Sequence, residues 1–302
     1  MPQPFVSIGR LCAVALSATV AVAGLALMAH AQEPAPGKPA ATAPARYAGA
    51  TEKGFLLPNG WTLSPAGAQI ELTDLPLNII PLADNRHALA ASSGFNAHNL
   101  VLVDLASKSI AATETVRQSW FGLALDPKAG KIWWSGGGGD RLHTFDLKDG
   151  KLSRTSEPEA QPDAKGKARS KGHFKSGLTL SRDGAILYSL DMQAGTLTAA
   201  PAAEGLNAPT ARTATVGQRP YDVVESRNGT RLYVSDWADR RVLAVDPSDL
   251  RVVARIPVGE HPNQIAVHPK DDRIFVACAS SNNVAVIDTR RGTVTETIMT
   301  AL

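Results

Sequence analysis

From Leu75 onward, apolar and polar positions alternate in short runs broken by Gly, Asp, Asn or Pro. GLALD, GLTLS, DVVES and QIAVH each lead through a polar turn to a second apolar run, KIWWSG, AILYSL, RLYVSD and RIFVAC. A third run follows (RLHTFDL, VLAVD, NVAVIDT), and a β-branched fourth closes the unit, as in RVVARIPV and TVTETI. Two-residue alternation turns one side of each run toward a core, and the Asp-Gly, Asn-Gly and Asp-Asp pairs supply tight hairpins. The pattern predicts antiparallel meanders. It argues against an α/β enzyme, because no helical period connects the runs.

The unit repeats. Pro220 and Pro262, Asp246 and Asp288, and Asp104 and Asp146 are each separated by about 42 residues, the length of one four-stranded propeller blade. The expected fold is therefore all-β, a β-propeller with about five visible blades. The first spans residues 75–116, the second begins at Ser119, the third at His173, and the last two occupy 219–256 and 261–298. The aspartates at 104, 146, 246 and 288 end third strands, where a carboxylate accepts amide hydrogen bonds from the next turn. Recurrence once per blade marks them as structural. Residues 54–72 are shorter than a blade and are expected to supply one outer or closing strand.

The N-terminal segment changes the setting. Arg10, the apolar stretch Leu11 to Met28 and then Ala29-His30-Ala31 have the form of a signal peptide, residues 1–31, cleaved after Ala31. An uncleaved anchor is the alternative, although the stretch is Ala-rich and only marginally long enough to span a bilayer. The implied location is the periplasm or the exterior of a bacterial envelope. Residues 32–53, rich in Pro and Ala, read as a disordered linker, and 54–302 as the propeller domain. Cleavage leaves Cys278 alone, within an apolar strand pattern, so no internal disulfide is expected. Of the 302 residues, 44% are hydrophobic, and a net charge of +3 is too mild to imply nucleic acid.

No motif announces a reaction. Gly136 to Gly139 lacks the Lys-Ser/Thr of a phosphate loop and reads as a hairpin turn. The histidines show no metal-ligand spacing, no Gly-x-Ser-x-Gly elbow is present, and no dinucleotide fingerprint occurs. The expectation is no catalytic residue, no metal and no cofactor within this chain. Binding candidates are instead the residues that precede each first strand, because those entry loops gather on one face of a propeller. They include Trp120, Phe121, Lys175, Arg219, Tyr221, His261 and Asn263. This mixture of aromatic, amide and cationic groups suits a small polar or anionic ligand or a protein partner. Lys165, Lys167, Arg169 and Lys171 form a basic loop in an insertion at 154–172. That loop reads as a solvated segment or as an anion-binding flap.

RLYVSDW with VLAVD, and RIFVACA with VAVID, resemble the YVTN-type propeller repeat. LPNGWTLSPAGAQIEL, LPLNI, SWFGLALDP and VGEHPNQIAVHP further resemble the N-terminal propeller of bacterial envelope proteins fused to an alkaline-phosphatase-type phosphoesterase domain. The resemblance implies seven blades followed by a hydrolase domain. Its catalytic residues have no counterparts here, so a truncated form is expected. The functional expectation is an exported, non-catalytic binding or docking propeller, whose partner could be its own missing C-terminal domain. The alternatives are the front of a phosphoesterase and, more weakly, a single-stranded nucleic-acid binder using Trp120, Tyr221 and the basic loop.

Overall fold

A computed structural model describes residues 47–300 except 53, 65 and 158–171. The signal peptide, most of the linker and the four cations of the basic loop lie outside the described residues. Two compact units divide at Pro65 and Ala66.

In the first unit, β1 (Gly49–Thr51), β2 (Gly54–Leu56) and β3 (Thr62–Leu63) form a three-stranded antiparallel sheet. This corrects two expectations. The linker does not extend to residue 53 as unstructured chain, because Gly49 to Thr51 pairs with Gly54 to Leu56. The stretch after residue 54 gives no blade a strand among the described residues, because its strands pair with one another.

The second unit holds five four-stranded antiparallel sheets, each in sequential order. Blade 1 comprises β4 (Leu75–Pro81), β5 (His87–Ser93), β6 (His98–Asp104) and β7 (Ser109–Val116). Blade 2 comprises β8 (Leu123–Asp126), β9 (Lys131–Ser135), β10 (Leu142–Lys148) and β11 (Lys151–Arg154). Blade 3 has β12 (Lys175–Leu180), β13 (Ile186–Asp191), β14 (Thr196–Pro201) and β15 (Arg212–Thr215). Blade 4 has β16 (Pro220–Glu225), β17 (Leu232–Asp236), β18 (Arg241–Val245) and β19 (Val252–Pro257). Blade 5 has β20 (Pro262–Val267), β21 (Arg273–Cys278), β22 (Asn283–Asp288) and β23 (Thr293–Met299).

Alternation sends successive side chains to opposite faces of each sheet, so an inner blade buries both faces against neighbours. Leu89, Leu100 and Leu102 of blade 1 pack on Ile132, Trp134 and Phe145 of blade 2. Trp133 and Leu187 join blades 2 and 3. Leu190 and Leu197 meet Leu232 and Leu243 between blades 3 and 4. Tyr233 and Val242 meet Ile274 and Val276 between blades 4 and 5. Each such aliphatic side chain contributes about 1.5–3 kcal/mol by leaving water. Among the described residues, no buried apolar cluster joins blade 5 to blade 1.

Turn chemistry follows the pattern at three of the four third-strand aspartates, while the Asp146 carboxylate lies 3.6 Å from Lys148 Nζ. Asp104 Oδ1 accepts from Ala106 and Ser107, Asp246 Oδ1 from Ser248, and Asp288 Oδ1 from Arg290 and Arg291. His268 Nδ1 accepts from the Lys270 and Asp271 amides, a turn role. Cys278 is buried, and burial pushes its thiol pKa up.

Candidate functional site

The first strands carry a feature that alternation alone did not reveal. Pairing with the second strand shifts register between Pro76 and Asn78, Lys175 and Leu178, Pro220 and Val223, and Pro262 and Ile265. A bulge re-aims the side chains beside it. The bulges place Asn78, Gly177, Asp222 and Gln264 at equivalent positions on the inner rim, and Gly122 stands at the matching point just before β8, where no register shift occurs.

From that rim, side chains reach the next blade. Asn78 Nδ2 donates to Phe121 O at 2.9 Å, and Asp222 Oδ2 accepts from the Ile265 amide at 2.8 Å. Gln264 Nε2 donates to Leu77 O at 3.1 Å and so links blade 5 to blade 1. The two glycines at this position allow close approach. A Cβ on Gly122 would lie 2.1 Å from Ser176 O, and one on Gly177 would lie 2.7 Å from Asp222 Cα.

The candidates read from the sequence that lie among the described residues fall into four groups. Phe121 stacks on Tyr221 at 4.9 Å between centroids, and Trp120 meets Phe174 edge-on at 5.4 Å. Phe121 is only 3% exposed, whereas Trp120, Phe174 and Tyr221 are half-buried. His261 and Asn263 belong to the entry of blade 5. His261 holds a left-handed backbone (φ 51°), stacks on Trp237 at 4.1 Å, and its Nδ1 lies 2.6 Å from Ser280 Oγ. Asn263 turns its Oδ1 back on the Gln264 amide. Arg219 is exposed, and its backbone amide donates to the buried Asp236 carboxylate.

Lys175 belongs to a different constellation, one that sequence reasoning missed. Its Nζ lies 3.3 Å from Asp140 Oδ1 and 3.2 Å from Asp191 Oδ2. His173 Nδ1 lies 2.8 Å from the same Asp191 oxygen. The other Asp191 oxygen accepts from the Phe174 and Ala194 amides. Burial pushes the Asp191 pKa up, but those amides, His173 and Lys175 outweigh it and leave the carboxyl below its ordinary value. An ionised Asp191 favours the tautomer with the proton on His173 Nδ1, which leaves Nε2 as an acceptor. Asp140, His173 and Asp191 are close enough to share a metal ion. The Lys175 ammonium already supplies the positive charge between the two carboxylates.

This cluster opens on a groove of about 720 Å³ along the seam of blades 2 and 3. Among the described residues its charged lining is balanced in sign, with Lys131, Arg141 and Lys175 against Asp140, Glu157 and Glu204. Asp191 and Asp236 end second strands in LYSLD and LYVSD, a repeated carboxylate that the third-strand aspartates had overshadowed.

Five four-stranded sheets packed through their faces, with first strands meeting at a common inner rim, define a β-propeller. Residues 122–300 match the family model described as "Lactonase, 7-bladed beta-propeller", and the chain belongs to that family. The described residues hold five four-stranded sheets, against the seven blades of that description. No curated protein matches the sequence. Among solved structures, the chain is similar to a functionally unknown protein from Desulfotomaculum acetoxidans DSM 771. The TM-score is 0.61 with 16% identity, covering 76% of this chain and 73% of that one. It is also similar to the Cps50 (Swd1) β-propeller domain from Myceliophteria thermophila, with a TM-score of 0.55 and 13% identity over 74% of this chain and 73% of that one. At these identities, the likeness shows the fold alone.

Proposed function

We propose that this protein is an exported propeller that binds a small, oxygen-rich molecule in the groove between blades 2 and 3. The observation that carries the reading is the His173–Asp191–Lys175 constellation opening on that groove. Charges of both signs favour a neutral polyhydroxylated ligand over a strong anion, because each hydroxyl can both donate and accept. The export signal read from residues 1–31 supports an envelope setting. The resemblance to propellers that precede a phosphoesterase domain supports a docking role for the entry face.

A second reading is hydrolysis of a lactone in the same groove, favoured by the family description and by the His–Asp pair. His173 Nε2 would take a proton from water as that water attacks the ring carbonyl, with Asp191 stabilising the imidazolium, and would return that proton to the ring oxygen as the acyl C–O bond breaks, leaving a hydroxy acid. The Lys175 ammonium would stabilise the oxyanion. Titration calorimetry and pH-stat assays with a panel of sugar lactones and the corresponding open-chain polyols test both readings. Binding of lactones and polyols without turnover supports the binding reading. Turnover that falls at least about a hundredfold in His173→Ala supports hydrolysis. Absence of both binding and turnover overturns the assignment of the groove.

A further inference from the structure

A second cavity, separate from the groove, lies at the inner rim. Its volume is about 510 Å³, and first strands of all five blades line it. Its walls are largely apolar, formed by Phe121, Leu178, Ile265, Phe275 and Val284. Four polar side chains join them: Asn78, Asp222, Gln264 and Thr179, whose hydroxyl donates to Leu180 O.

The other three share one character. Asn78 and Gln264 each donate an amide hydrogen to a backbone carbonyl, of Phe121 and Leu77, which leaves Asn78 Oδ1 and Gln264 Oε1 as acceptors. Asp222 is 7% exposed, and its carboxylate accepts only from the Val223 and Ile265 amides. No cationic side chain pairs with it among the described residues. A buried carboxylate without a cation is costly, and each of its oxygens retains acceptor capacity.

Among the described residues the neighbouring strands supply no substitute charge: on β21, Arg273 is held by Asp271 at 2.7 Å. On β12, Lys175 is held by Asp140 and Asp191, and on β17, Asp236 accepts the Gln218 and Arg219 amides. Tyr233 donates to Thr289 O, and Glu225 accepts from the Arg182 amide. Strand β20 has no titratable residue, and Tyr221 sits beside Asp222 on its own strand.

We propose that this cavity binds a primary ammonium group carried on an apolar body. An alkyl- or arylalkylammonium has three N–H donors for the three acceptor side chains. It also has a positive charge for Asp222 and a hydrophobic remainder for the walls. This site is independent of the reading of the groove.

The test is titration calorimetry on the whole protein with phenethylamine and its neutral isostere 2-phenylethanol. At pH 8 the amine binds, and the alcohol binds at least about tenfold more weakly. Between pH 8 and pH 5.5 amine affinity falls at least about tenfold, because proton uptake by Asp222 competes with the ammonium. Asp222→Asn abolishes the preference for the amine, whereas His173→Ala in the groove leaves it unchanged. Equal binding of amine and alcohol, no binding up to about 10 mM amine, or an unchanged preference in a folded Asp222→Asn protein overturns the proposal. Should Asp222→Asn fail to fold, the amine–alcohol ratio and its pH dependence in the wild type decide the question.

Discussion

Asp222 shows how one residue couples the rim to pH. Burial raises its pKa from 3.8 to about 7, against the pull of the Ile265 and Val223 amides. A folded-state pKa above the unfolded value means that the native state favours the protonated form. The associated stabilisation is present below the unfolded value and is lost as pH rises through about 7. Urea unfolding of wild type and Asp222→Asn across pH 4 to 8 isolates this contribution from the many surface carboxylates. The wild type is expected to lose a few kcal/mol relative to the variant over that range. A constant difference between the two proteins would refute the assignment. The asparagine side chain in that variant would set its own amide against the Ile265 N–H, but that cost is independent of pH and leaves the slope readable. Asp236 shows the structural use of the same residue type, with both oxygens accepting entry-loop amides, Gln218 and Arg219.

Among the elements, the first strands decide how closely blades approach. Gly122 has an ordinary backbone conformation, yet an added Cβ would meet Ser176 O of the next blade at 2.1 Å. Gly122→Ala is therefore expected to cost about 3 kcal/mol or more, because backbone on both sides must move. Gly150 offers the contrast. It needs a left-handed turn conformation (φ 71°) and has open space around it, so Gly150→Ala should cost only about 1 kcal/mol. Urea midpoints of the two variants test this order, and a reversal would show that turn strain outweighs blade contact. The outer strand β23 lies at the opposite extreme, with Ile298 and Met299 exposed.

For the whole propeller unit, the junction between blades 5 and 1 is the one without a buried apolar cluster among the described residues. Four seams hold buried apolar clusters, whereas this one is spanned by the Gln264 side chain. Gln264→Ala is expected to speed amide hydrogen exchange in β20 and β4 and leave the centre of blade 3 unchanged, since local opening follows local packing. A uniform increase across all blades would show that this junction opens only by global unfolding.

The blades themselves were legible in the chain before any packing. Alternation, turn dipeptides and a repeat near one blade length are local properties, and the backbone obeys them wherever the blades later pack. The hairpin role of Asn228-Gly229 was equally legible, with Gly229 at φ 71° and Asn228 Oδ1 accepting from Thr230. Lys175, among the sequence candidates, falls in the groove constellation, but Asp140 and His173 of that constellation sit in loops without a repeated signature. Bulges displaced the expected rim, because a register shift re-aims side chains without altering the hydrophobic pattern. That shift made Asp222 and Gln264 inner-rim residues, while Phe121, on the blade without such a shift, is buried against Tyr221. Bringing residues from five separate repeats to one rim was left to tertiary packing, since it depends on the angle and spacing at which whole blades meet.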